Sequence, residues 1–99
     1  MNPKQQAIWN EVRERDSESC VLCGAQGAEI HHIIPRSRCK EEDLWKVQNM
    51  AVTCWECHHN GRVAIEARAG EIIGILVDRY PEYEDWYAER PQFNAYLGE

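Results

Sequence analysis

The chain has 99 residues, 43% of them hydrophobic, and a formal net charge of −6. That length makes one domain, or one small module with appendages, and it buries only about 60 to 70% of its unfolded surface, so a staple is expected. The longest apolar run, IIGILV, excludes a membrane span, the N-terminal stretch MNPKQQAIWNEVRERD has no apolar signal core, and the acidic balance excludes a free-standing DNA binder with a broad basic face.

In chain order, NPKQQAIWNEVRERD reads as a helix: Asn2 suits an N-cap, Pro3 the first turn, and Ile8 and Val12 fall at i, i+4. SESCVLCGAQGA reads as a knuckle-like turn, with Gly24 and Gly27 supplying loop backbone. AEIHHII is a short strand by its β-branched content, stopped by Pro35. RSRCKEEDLWKVQN is a long polar loop, and NMAVT a second strand. CWECHHN predicts a helical turn or two, with Asn60-Gly61 as its C-cap. EIIGILVDRY predicts a helix with an apolar face, and PEYEDWYAERPQFNAYL one or two short helices whose aromatics pack back on the body. There is no internal repeat.

Charge is uneven along the chain. Residues 1–65 hold 8 Lys/Arg against 9 Asp/Glu, whereas residues 66–99 hold 3 against 8. Any nucleic-acid role therefore rests on a local patch or on a partner. The local basic cluster is Arg36, Arg38, Lys40 and Lys46, interrupted by Glu41, Glu42 and Asp43. It reads equally as a phosphate-contacting loop and as a solvated one, with Arg36 the best candidate for substrate phosphate. Trp9, Trp45, Trp55 and Trp86 are expected to be packing residues rather than base-stacking platforms.

Five cysteines are many for this length, and in a reducing cytoplasm they point to metal rather than disulfides. Cys20-Val21-Leu22-Cys23 and Cys54-Trp55-Glu56-Cys57 have the spacing of a tetrahedral zinc site, and Cys39 is left over as a bystander. All four histidines, His31, His32, His58 and His59, lie inside or just after that frame, together with Asn49.

The order Cys-x-x-Cys, His-His-Ile-Ile-Pro, polar loop, Asn-Met-Ala-Val-Thr-Cys-x-x-Cys-His resembles the HNH endonucleases of the ββα-metal (His-Me finger) superfamily, most of all the small zinc-stabilised proteins of phages and prophages. The resemblance covers about residues 17–61. It implies an α+β fold: a ββα-metal finger with a four-cysteine zinc site, an N-terminal helix and a C-terminal helical appendage. One domain is expected over 1–99, with the finger core at about 17–61 and the appendage at about 64–97.

The resemblance also implies roles. His32 matches the general base and Asn49 the residue that holds the base's loop. His31 and His58 match the ligands of a catalytic divalent cation, Mg²⁺, Mn²⁺ or similar. The implied activity is hydrolysis of DNA phosphodiester bonds in a bacterial host cell, leaving 5′-phosphate ends, with a homodimer or a phage protein as a further partner. Chemistry agrees, since an imidazole with a pKa of about 6.5 suits proton abstraction at neutral pH. Because neighbours on a strand face opposite ways, His31 and His32 serve one site only where the backbone twists.

One departure stands out. Many relatives carry a third metal-binding side chain just beyond the helix histidine; here Arg62 stands four residues after His58. Glu66, His59 and water alone are the open alternatives, and two protein ligands plus waters suit Mg²⁺. The rival reading of the whole chain is a catalytically weak zinc module acting as a DNA- or protein-binding adaptor.

Overall fold

A computed structural model of the chain describes residues 1–27, 29–59, 64–91 and 93. The expected cap at Asn60-Gly61, the expected non-ligand Arg62 and the aromatic Tyr96 lie outside the described residues.

Helix α1 spans Pro3–Arg15. Asn2 caps it by accepting from the Gln5 N–H at 2.7 Å, and the Gln5 side chain accepts from the Asn2 N–H in return at 3.1 Å. The helix stops where Ser17 and Glu18 take left-handed backbone, with φ of 56° and 54°. Its last residues fasten it to the sheet. Arg15 donates to the carbonyls of Val47 and Met50, both at 2.7 Å, and the Asp16 carboxylate accepts from the Val52 N–H at 2.9 Å. Arg15 also forks onto Asp16, so both members of this buried pair are satisfied.

The knuckle follows. Gly24 has φ +81° and returns its N–H to the Cys20 carbonyl at 2.8 Å, the left-handed step that closes the turn. Gly27 packs so tightly on the sheet that a Cβ there would meet Val52 Cγ1 at 2.1 Å.

Strands β1 (Glu29–His32) and β2 (Met50–Thr53) form one antiparallel pair, with Glu29 opposite Thr53, Ile30 opposite Val52, His31 opposite Ala51 and His32 opposite Met50. β1 ends two residues earlier than the isoleucines suggest. The Ile33 N–H goes to the Asn49 carbonyl at 2.8 Å and the Ile34 N–H to the Asn49 side chain at 2.9 Å, so Asn49 takes over where the ladder would continue. The polar stretch between the strands is also not a plain loop. It holds a 3₁₀ turn at Arg36–Arg38, the short helix α2 at Glu41–Leu44 and a second 3₁₀ turn at Val47–Asn49.

Helix α3 (Trp55–His59) leaves β2 directly and completes a ββα unit. A 3₁₀ turn at Ile65–Arg68 leads into α4 (Ala69–Arg79), and α5 (Tyr83–Ala88) follows. The fold is thus α+β, as the sequence predicts.

Apolar packing has two parts. Val12 of α1 meets Ile30, Met50 and Val52, flanked by Ile8, Trp9 and Trp45. Ile33, Ile34 and Ala51 meet Ile72, Ile73 and Leu76 of α4, Tyr87 of α5 and Phe93. The apolar face of α4 and these aromatics therefore cover the finger's own core. Each such side chain contributes roughly 1.5–3 kcal/mol by its burial. No helix among the described residues is long and apolar enough to cross a membrane.

Candidate metal and catalytic site

The four cysteines of the two Cys-x-x-Cys pairs converge, with their sulfur atoms all within 4.8 Å of one another. Cys23 and Cys54 are 3.6 Å apart, close to the edge of about 3.8 Å that Zn–S bonds of about 2.3 Å give a tetrahedron. Burial works against the Cys20 thiolate, but backbone hydrogen bonds from Cys54, Cys23 and Leu22 outweigh it and bring this thiol down to about 7. Burial and then the neighbouring thiols push Cys57 up to about 12. The protein alone thus favours a thiolate at Cys20 and resists one at Cys57; a divalent cation at the centre would remove that conflict. The four-cysteine cluster fits a structural zinc ion. Cys39 lies apart, its sulfur 3.8 Å from the Asn49 side-chain nitrogen.

Strand alternation sorts the remaining residues onto two sides. Glu29 and His31 share the face that meets α3; Ile30 and His32 share the face that meets α1. His31 is buried, and its ring stands 5.2 Å from that of His58, edge to face. Its Nε2 is buried with no hydrogen-bond partner among the described residues. Burial, helped by His58 and only partly opposed by Glu66, pushes His31 down to about 4, so at neutral pH its ring is uncharged and keeps a lone pair.

His32 is held differently. Its Nδ1 lies 2.9 Å from the Leu44 carbonyl, and its ring meets Trp45 edge-on at 5.4 Å. A carbonyl only accepts, so Nδ1 carries the hydrogen and Nε2 is left as a lone pair. Burial lowers the His32 pKa despite the Leu44 bond, and the nearby Arg36 charge lowers it further. Arg36 itself is exposed. Asn49 is fully buried and spans the two strands' ends through Ile34, accepting from its N–H at 2.9 Å and donating to its carbonyl at 3.5 Å.

The structure therefore brings His31 and His58 together and keeps His32 out of ring or hydrogen-bond contact with either, across the strand. Glu66 is exposed; it reaches His31 through charge and lines a cavity of about 100 Å³ with Ile33, Ile34, Pro35, Arg38, Ala69 and Phe93. It is not in ligand contact with the histidines. The residue that the sequence reading passes over is Glu29. Its Oε1 accepts from His58 Nδ1 and from His59 Nε2, the latter at 2.8 Å. The signal was present, because a residue two before His31 on a strand shares its face. Burial works against the Glu29 carboxylate, yet the bonds from His59 and His58 hold it below its usual range. Among the tryptophans, Trp9, Trp45 and Trp86 pack on the core, whereas Trp55 is 54% exposed and lies 5.6 Å from His59.

No curated protein and no solved structure matches the chain significantly. Residues 20–61 match the family described as HNH endonuclease, a segment that runs from the first zinc-knuckle cysteine through both strands and α3. The cysteine cluster, the paired strands and the histidine-bearing helix all lie in that segment, so the likeness to HNH endonucleases is carried by the finger and not by the C-terminal helices.

Proposed function

We propose that this chain is a metal-dependent endonuclease that cuts or nicks DNA in a bacterial cytoplasm, with His32 as general base. The observation that carries the reading is the lock on His32: Nδ1 is committed to the Leu44 carbonyl, and Nε2 is free to accept a proton. In the reaction His32 Nε2 takes a proton from water, the water oxygen bonds to phosphorus, and the bond to the 3′-oxygen breaks. The products are a 5′-phosphate and a 3′-hydroxyl, the latter protonated from solvent. Asn49 keeps the loop that carries His32 in register. Arg36, exposed and close enough to act on His32 by charge, receives the substrate phosphate. A divalent ion held by His31 and His58 supplies charge neutralisation at the phosphate when bound. Finger and C-terminal helices act as one domain, since they share an apolar core.

The test is incubation with supercoiled plasmid while Mg²⁺, Mn²⁺, Co²⁺, Ni²⁺ and Zn²⁺ are scanned against a chelator control. Relaxed or linear product with at least one ion, lost in His32→Ala, is the expected result. The net charge of −6 favours the adaptor as a second reading. Duplex binding with every ion and cleavage with none would establish it instead.

A further inference from the structure

We infer that Glu29 and His59 join His58 as ligands of one divalent transition ion, so that the carboxylate of the catalytic metal site comes from β1 and not from Glu66. The inference rests on the function proposed above and names the donor set of that same ion.

Three ligand atoms, one each from Glu29, His58 and His59, lie within 4.8 Å of one another. They come from two elements that the fold holds firmly. Glu29 sits on β1 opposite Thr53, while His58 and His59 form the end of α3, which starts one residue after β2. One carboxylate oxygen faces both rings, with His59 Nε2 also 3.0 Å from the second oxygen. A carboxylate accepts only, so each facing ring nitrogen carries a hydrogen in this arrangement. An ion takes the place of those two hydrogens once each ring proton moves to its other nitrogen. Metal–ligand lengths of about 2.0–2.2 Å give tetrahedral edges of roughly 3.3–3.6 Å, a small opening of the present contacts.

A bland hydrogen-bonded trio leaves one fact unexplained. The His31 Nε2 is buried without a partner, on the same face of β1 as Glu29 and beside the His58 ring. A buried imidazole nitrogen without a partner, on a ring that meets His58 edge to face, is the kind of group that a bound ion and its waters would satisfy. The cluster is also open on one side, with the Glu29, His58 and His59 side chains 30%, 23% and 45% exposed, so a phosphate oxygen can reach it. Imidazole-rich donors with one carboxylate favour Zn²⁺, Co²⁺ or Ni²⁺ over Mg²⁺, which prefers oxygen ligands and retained waters. Glu66 is exposed and lies outside this group of ligand atoms.

The experiment titrates Co²⁺ into protein whose four-cysteine site already holds zinc, followed by calorimetry and by the visible spectrum. One Co²⁺ per chain is expected, with nitrogen/oxygen bands and no thiolate charge-transfer band, and excess Mg²⁺ should not displace it. Glu29→Gln and His59→Gln should each weaken Co²⁺ by roughly tenfold or more, with zinc content and circular dichroism unchanged. Glu66→Gln should leave Co²⁺ affinity as it was. If Co²⁺ binds as tightly to Glu29→Gln and His59→Gln as to the parent while His31→Ala loses it, this inference fails and the proposed nuclease stands. A parent protein that binds no second ion of any kind overturns both.

Discussion

A histidine that donates from Nδ1 to a backbone carbonyl has one nitrogen left for chemistry, and Leu44 holds His32 in that state. His32→Ala should therefore lower the cleavage rate by about 10²- to 10⁴-fold with zinc content unchanged, measured as plasmid relaxation under the best ion. Asn49 makes a different demand. Its side chain is the acceptor for the buried Ile34 N–H, and Asn49→Ala leaves that donor without a partner. The expected loss of stability is about 1–3 kcal/mol, and an unchanged urea midpoint would show that another acceptor replaces it. At this scale the sequence was readable where chemistry forces a residue type. Thiol pairs and paired histidines have few structural uses, so they stood out. Glu29 did not, since its spacing puts it on the His31 face of β1 but does not say what that face meets until α3 is seen above it.

Elements with their own start and stop chemistry were legible, and those built from borrowed hydrogen bonds were not. α1 announces itself through Asn2, Pro3 and Gln5; β2 through MAVT; α3 by starting inside the second cysteine pair. The turns at 36–38, 41–44 and 47–49 are three or four residues each, too short to show a period, and the end of β1 depends on a side chain fifteen residues later. That connecting stretch is held from outside by α5 and by Arg90 just beyond it. Tyr87 donates its hydroxyl to the Gln48 carbonyl at 2.6 Å, and Arg90, stacked 3.7 Å over Trp86, reaches Asp43 at 3.0 Å. Asp43 and Gln48 adjoin Leu44 and Asn49, which orient His32 and the end of β1. Tyr87→Phe should cost about 0.5–1.5 kcal/mol for the lost bond, seen as a lower thermal midpoint. The same variant should also cut more slowly than its stability alone explains, because the Leu44 carbonyl is less firmly placed; full activity at a temperature where it is folded would refute that link.

For the molecule as a whole, zinc and charge set the behaviour. A small two-part core around a two-stranded sheet depends on its tetrathiolate, and a structural zinc contributes on the order of 10 kcal/mol. Chelation of the folded protein should therefore give loss of circular dichroism along with the metal, whereas Cys39→Ser should retain both. The negative balance of residues 66–99 argues for weak duplex affinity. Few Lys/Arg are available to displace counterions, and the slope of log affinity against log salt scales at about 0.9 per phosphate neutralised, so a shallow dependence is expected. A steep slope would place the DNA-holding charge elsewhere than the 36–46 segment. Ile72, Ile73 and Leu76, on the apolar face of α4, are buried within the chain itself. Periodicity showed that this face was apolar; it could not show which surface the face would meet.

Helix α3 is five residues long, and it places Cys57 and His58 side by side. A single turn that short has little helical stability of its own. Cys54 and Cys57 tie this turn to the cysteine cluster, and His58 and His59 at its end join Glu29. On the function proposed above, the two centres are expected to fill in sequence: zinc first, which shapes the turn, and the histidine-bound ion afterwards. On that same reading, scarcity of the first metal should then silence the chain however abundant the second is, which would make the structural ion a gatekeeper for when the protein becomes competent.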